Sequence, residues 1–129
     1  MRREVIDVPG ISDVSRAAKV PISAAIRAGG FVFVSGTPPI DVENGGFVKG
    51  DIAVQAEQCL RNLRFVLEEA GTSLEKVCMV RIYAKGEHYR AINEVYAAFF
   101  PLEPPARTFV PVGEWPLDFD MEIDCVALV

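Results

Sequence analysis

The most regular pattern in the chain lies between Asp51 and Gly71. Ile52, Ala56, Cys59, Leu60, Leu63, Val66, Leu67 and Ala70 recur at helical spacing and leave charged residues on the other side. Asp51 is placed to cap this helix, because a carboxylate accepts from amides that the first turn leaves unpaired. Gly71 is a natural C-terminal stop. Upstream, two extended runs over 22–28 and 31–35 flank Gly29-Gly30. Glycine accepts the positive φ of primed turns, so a tight hairpin is predicted. Pro38-Pro39 ends the second run, and Asn44-Gly45-Gly46 marks a loop.

Over 76–85, Cys78, Val80, Ile82 and Ala84 alternate with Met79, Arg81 and Tyr83, the pattern of a strand. A second helix is predicted over about 87–99, with Tyr89, Ile92, Val95, Tyr96 and Phe99 as its apolar stripe and Pro101 beyond its end. Two more strands follow, over about 106–112 and 119–128. The order ββ-α-β-α-ββ predicts an α+β fold with two helices packed on one face of a mixed β-sheet. Residues 1–129 form one domain on this reading, since the chain is too short for two independent cores.

If Gly113-Glu114-Trp115-Pro116 connects the last two strands as a hairpin, Val112 meets Leu117 and Arg107 falls opposite Glu122. Alternation then puts Thr108, Val110 and Val112 with Met121, Ile123, Cys125 and Ala127 under the helices. Arg107, Phe109 and Pro111 share the opposite face with Asp120, Glu122, Asp124, Val126 and Leu128. Phe31, Val32, Phe33 and Val34 leave neither side of their strand polar. Two helices cover only one side of a sheet, and exposed apolar patches mark interfaces. A homo-oligomer is therefore expected, with Arg107 and Glu122 near a subunit boundary. The alternative is a cross-strand ion pair on a solvated face, worth about 0–1 kcal/mol.

Composition narrows the chemistry. Hydrophobic residues make up 50% and charged residues 24%, a balance that argues against disorder. Net charge is −5, and the scattered basic residues form no positive stripe for phosphates, so no nucleic-acid partner is expected. Cys59, Cys78 and Cys125 with the single His88 make no zinc signature and no complete disulfide framework. Buried thiols in a reducing compartment are the expectation. The basic N-terminus leads into no apolar signal region, and no apolar run approaches the roughly 18 residues of a membrane span. A cytoplasmic protein without membrane association is expected. His88 has no serine or cysteine partner in a nucleophile motif.

Several segments together resemble the RidA family of reactive-intermediate deaminases, also called the YjgF family. They are Pro105-Ala106-Arg107-Thr108 followed by Val110 and Met121-Glu122-Ile123, the run from Phe33 to Pro38 through Ser35-Gly36, the helix from Gln55 to Leu67, and the run from Asn93 to Phe100. The resemblance implies a chorismate-mutase-like fold, a homotrimer with clefts between subunits, and no metal or cofactor. It implies hydrolysis of 2-imino or 2-enamino acids to 2-oxo acids and ammonia. Arg107 would hold the substrate carboxylate, a task that suits a planar guanidinium, and Glu122 would hold or activate water. Ser35, Gly36 and Asn93 match cleft-lining positions. Two departures stand out: Ile22 occupies the place of a family tyrosine, and Phe109 that of a family cysteine. Both make the pocket more apolar. The rival expectations are a dedicated catabolic deaminase for a substrate such as 2-aminomuconate, and a non-enzymatic module that binds 2-oxo acids or acts as a chaperone.

Overall fold

The computed structural model describes residues 2–129. Its elements are β1 (Glu4–Ile6), α1 (Ile11–Ala17), β2 (Ala25–Ala28), β3 (Phe31–Thr37), α2 (Ile52–Glu69), β4 (Val77–Ala84), α3 (Tyr89–Phe99), β5 (Ala106–Pro111) and β6 (Met121–Leu128). The six strands form one sheet in the order β1-β2-β3-β6-β4-β5. Only β4 and β5 run parallel, joined through α3; every other pair is antiparallel. The α+β fold with its helices on a mixed sheet is as the pattern predicts. β1 and the short α1 are additions at the N-terminus.

Local signals place most elements. Asp51 accepts from the Val54 amide at 3.1 Å and starts α2. Past Gly71, the Thr72 amide returns to the Leu67 carbonyl at 2.9 Å, which closes its last turn. Gly29 and Gly30 adopt φ of 58° and 84°, the primed turn that β2 and β3 need. The core lies between the helices and one sheet face, where Val32, Val34, Val80, Ile82, Ala84, Met121, Ile123, Cys125 and Ala127 are buried against Leu60, Leu63, Val66, Leu67 and Ile92. No helix among the described residues is long and apolar enough to cross a membrane.

The last two strands are not a hairpin. β4 lies between β5 and β6, so Arg107 pairs with Val80 and Glu122 with Tyr83. The cause is visible in the strands themselves. A central strand needs donors on both sides, and β6 supplies them, whereas Pro111 in β5 has no N–H and suits an edge. The parallel register also turns β5 over relative to the expected pairing. Arg107 and Phe109 face the helices with Val80 and Ile82, and Thr108 and Val110 take the open side.

Cys78 is exposed rather than buried. Val77 pairs with Ala127 and Met79 with Val126, so Cys78 is the extra residue of a β-bulge and Val77 is buried in its place. Cys59 and Cys125 are buried as expected. The open face keeps its apolar character, with Phe33 45% exposed beside Phe31 and Leu128.

Candidate functional site

The structure divides the residues singled out in the sequence into two groups. Ile22, Ser35, Gly36 and Glu122 line one cavity. Arg107, Asn93 and Phe109 belong to a separate cluster between β5 and α3.

The first group is built on an irregularity in β3. The β3–β6 register shifts between Val34 and Thr37, which places Ser35-Gly36 in a bulge beside β6. Ser35 is tied to its surroundings there: its hydroxyl donates to the Ser23 carbonyl at 2.6 Å and its amide to the Ala24 carbonyl at 3.0 Å. The hydroxyl oxygen keeps its acceptor capacity. Glu122 lies directly over Gly36, in space that any β-carbon at position 36 would occupy. Its carboxylate makes no hydrogen bond or ion pair among the described residues. Burial, and secondarily the charge of Asp124, holds its proton affinity above the ordinary carboxyl value.

The cavity has a volume of about 140 Å³ and is mostly apolar. Ile11, Val14 and Ala18 border it from α1 and its end, Val20 and Ile22 from the next loop, and Phe47, Leu117 and Phe119 from the far side. Phe119 makes an edge contact with Phe47 at 5.0 Å between centroids and packs on Trp115 at 4.9 Å. Two buried amides fix the walls. Gln55 of α2 binds the Asp120 carboxylate at 2.7 Å and accepts from the Asp120 amide at 2.8 Å. Asn62 donates to the carbonyls of Pro38 and Ile40 at 3.1 and 2.9 Å.

The second group is aromatic. The Arg107 guanidinium sits 4.8 Å from the ring centre of Tyr96 and 5.8 Å from that of Tyr89, close enough for both ring faces to attract it. Phe109 meets Tyr89 edge-on at 5.0 Å. Tyr89, Asn93 and Tyr96 are spaced four and three residues apart, so one stripe of α3 carries all three. Asn93 Oδ1 and the Tyr96 hydroxyl are buried without a partner. Burial pushes the Tyr96 phenol up to about 12, so it stays protonated. Arg107 takes part in no ion pair among the described residues.

The sequence reading assigned Tyr89 and Tyr96 to core and missed their place beneath Arg107. The available signal was their type: a phenol on a core stripe needs a polar neighbour. Ile11, Val14, Phe47 and Phe119 were also missed as cavity walls, and no local pattern marked them.

The comparisons with known proteins agree with this architecture. The family model described as Endoribonuclease L-PSP matches residues 13–129. A RutC family protein of Pyrococcus abyssi is 43% identical over 108 residues, covering 83% of this chain and 85% of that protein. The chloroplastic Reactive Intermediate Deaminase A of Arabidopsis thaliana is 34% identical over 128 residues, covering 98% of this chain and 66% of that one. The crystal structure of a Rid family protein from Yersinia pestis superposes with a TM-score of 0.89 at 31% identity, covering 99% of this chain and 100% of that chain. Matched along nearly its whole length in sequence and in fold, the chain belongs to the L-PSP family, the group of the YjgF and Rid proteins.

Proposed function

We propose that this protein hydrolyses 2-imino and 2-enamino acids to 2-oxo acids and ammonia, with Arg107 holding the carboxylate and Glu122 handling water and protons. The observation that carries this reading is a half-buried guanidinium bedded on two tyrosine rings with no acidic partner in its own chain. Such a cation is a ready receptor for a substrate carboxylate. The rival reading of a cross-strand ion pair loses its basis, because β4 separates Arg107 from Glu122.

Each protomer then holds half of a cleft. The open apolar face around Phe31, Phe33 and Leu128 supplies a surface for association, and a homotrimer that sets the Arg107 group of one subunit against the Glu122 cavity of the next completes the site. Asn93 Oδ1 and the Tyr96 hydroxyl gain a ligand or water there. No step in this hydrolysis calls for a metal or cofactor: water adds to the imine carbon, the nitrogen is protonated, and ammonia leaves.

The cavity favours one substrate range within the reaction. An apolar cavity of about 150 Å³ accepts a benzene-sized group, and this one is of similar size with Ile22 in its wall. A second carboxylate there would be buried without a partner, at a cost on the order of several kcal/mol. Imines with apolar side chains therefore fit better than 2-aminomuconate.

The test is hydrolysis of imines generated in situ by an amino-acid oxidase from leucine or phenylalanine. The purified protein should speed ammonia release, and Arg107→Ala should abolish it. Equal turnover by that variant would end the proposal. A preference for 2-aminomuconate would instead support the dedicated catabolic reading. A cytoplasmic setting is part of the proposal and is tested by fractionation; the Arabidopsis relative is named chloroplastic.

A further inference from the structure

Beside Glu122, on the open face of the sheet, four side chains stand in a square. The antiparallel register sets Arg81 opposite Asp124 and Tyr83 opposite Glu122. The Arg81 contact follows that register and the Tyr83 contact does not. Arg81 Nε donates to Asp124 Oδ1 at 2.9 Å, and the Tyr83 hydroxyl reaches diagonally to Asp124 Oδ2 at 2.8 Å. Both donors serve Asp124, and Glu122 receives neither. The Asp124 side chain is 13% exposed and that of Arg81 is 54% exposed, so the acid is seated in the sheet and the guanidinium reaches it from the rim.

We propose that Asp124, clamped by Arg81 and Tyr83, is a positioning residue that keeps the Glu122 carboxylate unpaired and able to take up a proton. The inference rests on the deaminase reading for its chemical purpose, but the electrostatic claim stands apart from turnover. An ion pair with Arg81 would hold Glu122 ionised and make it a weak base. With Arg81 drawn to Asp124, Glu122 faces one fixed negative charge and no bound cation within its own chain. The other groups around it do not offset this. β4 presents Tyr83, already donating to Asp124; β3 presents Ser35 and Gly36, which do not ionise; the buried Cys59 thiol of α2 is itself pushed up by burial and by Glu122.

A carboxyl group that both holds and accepts protons supplies the step that an enamine needs. Protonated Glu122 gives its proton to the enamine β-carbon, and the C=C pair forms that C–H bond as the nitrogen lone pair makes the iminium. Glu122, now a carboxylate, takes a proton from water as the water oxygen adds to the iminium carbon. It returns that proton to nitrogen. The C–N bond then breaks with its electrons going to ammonia, the hydroxyl becomes the carbonyl, and the hydroxyl proton restores the acid form of Glu122.

The experiment compares wild type, Asp124→Asn and Arg81→Gln by carbon NMR titration of the Glu122 carboxyl in the full-length protein. Loss of the Asp124 charge should lower the Glu122 midpoint, and loss of Arg81 should raise it. Shifts in these opposite directions support the clamp. An unmoved midpoint, or movement in the same direction in both variants, overturns it. Tyr83→Phe is a second check that preserves packing, and it should change the midpoint less than either charge change. A pH profile of kcat/KM on the leucine-derived imine separates the two proposals. If the midpoints shift as expected and wild type shows no turnover, the deaminase reading fails and the clamp stands. If turnover is present but its acid limb ignores the Glu122 midpoint, the clamp has no part in catalysis and the inference fails.

Discussion

Arg107 and Glu122 stand on opposite faces of the sheet, with β4 between their strands. A side chain on one face cannot reach the other through a packed core. If both act on one substrate, two subunits must supply them. Co-expressed Arg107→Ala and Glu122→Gln chains should therefore regain activity that each lacks alone. In randomly mixed trimers about a quarter of the clefts would carry both native side chains. Recovery near that share, measured on purified mixed trimers, is the expected result. No recovery in confirmed hetero-oligomers would place the whole site in one chain.

Gly36 and Glu122 are in contact in a way that leaves no room for a β-carbon. The constraint is steric, since Gly36 is not among the residues of positive φ. Gly36→Ala should push the Glu122 carboxylate aside, and a displacement near 1 Å can lower turnover by about a hundredfold. The fold should survive, because the far end of a side chain is what must move. The expected outcome is a large fall in kcat with a small change in melting temperature. Unchanged kcat would show that the carboxylate position does not matter.

The pattern of side chains made some features legible and not others, and the division is physical. Asp51, Gly71 and the Gly29-Gly30 turn act within a few residues of themselves, so they could be read directly. Strand neighbours are chosen by the whole sheet. The assumption that β5 and β6 pair because they are consecutive failed, and with it the face assigned to Arg107. Pro111 was a local clue that β5 lies at an edge. The bulge at Cys78 shifts the alternation by one residue, which no apolar pattern marks when Val77 and Cys78 are both apolar. Ile22, Ser35, Gly36 and Glu122 came together in one cavity, and Arg107, Asn93 and Phe109 in another cluster. That grouping follows from tertiary structure alone. The walls contributed by α1 were out of reach because one short helix has too few positions to show a period.

The bed of Tyr89 and Tyr96 under Arg107 predicts that charge alone is insufficient at this position. Lysine keeps the charge and loses the planar fork that can lie on a ring and grip two oxygens at once. Arg107→Lys should lose at least one charge-assisted hydrogen bond, worth about 1.5–3 kcal/mol, or roughly tenfold to a hundredfold in kcat/KM. The loss should appear mainly in KM, because a carboxylate is gripped equally in substrate and transition state. Steady-state kinetics on the leucine-derived imine measure this. Native kinetics in the lysine variant would mean that a point charge suffices.

On the deaminase proposal, Glu122 would tie activity to stability through pH. Its folded-state proton affinity lies above the ordinary carboxyl value of 4.5, first through burial and then through Asp124. Between that ordinary value and the raised one, the folded protein holds more protons than the unfolded chain, so stability falls as pH rises through the window and stays lower above it. Glutamine has no such penalty. Glu122→Gln should melt at a higher temperature than wild type at pH 7, and the two should converge as pH drops below the ordinary carboxyl range. Thermal melts of the purified protein from pH 4 to 8, at one protein concentration, measure the difference. The same variant should be inactive, so a stabilised and silent protein is the expected pair of results. A lower melting temperature at neutral pH would mean that the ionised carboxylate has a stabilising partner across the subunit boundary, and the unpaired state of Glu122 would have to be abandoned.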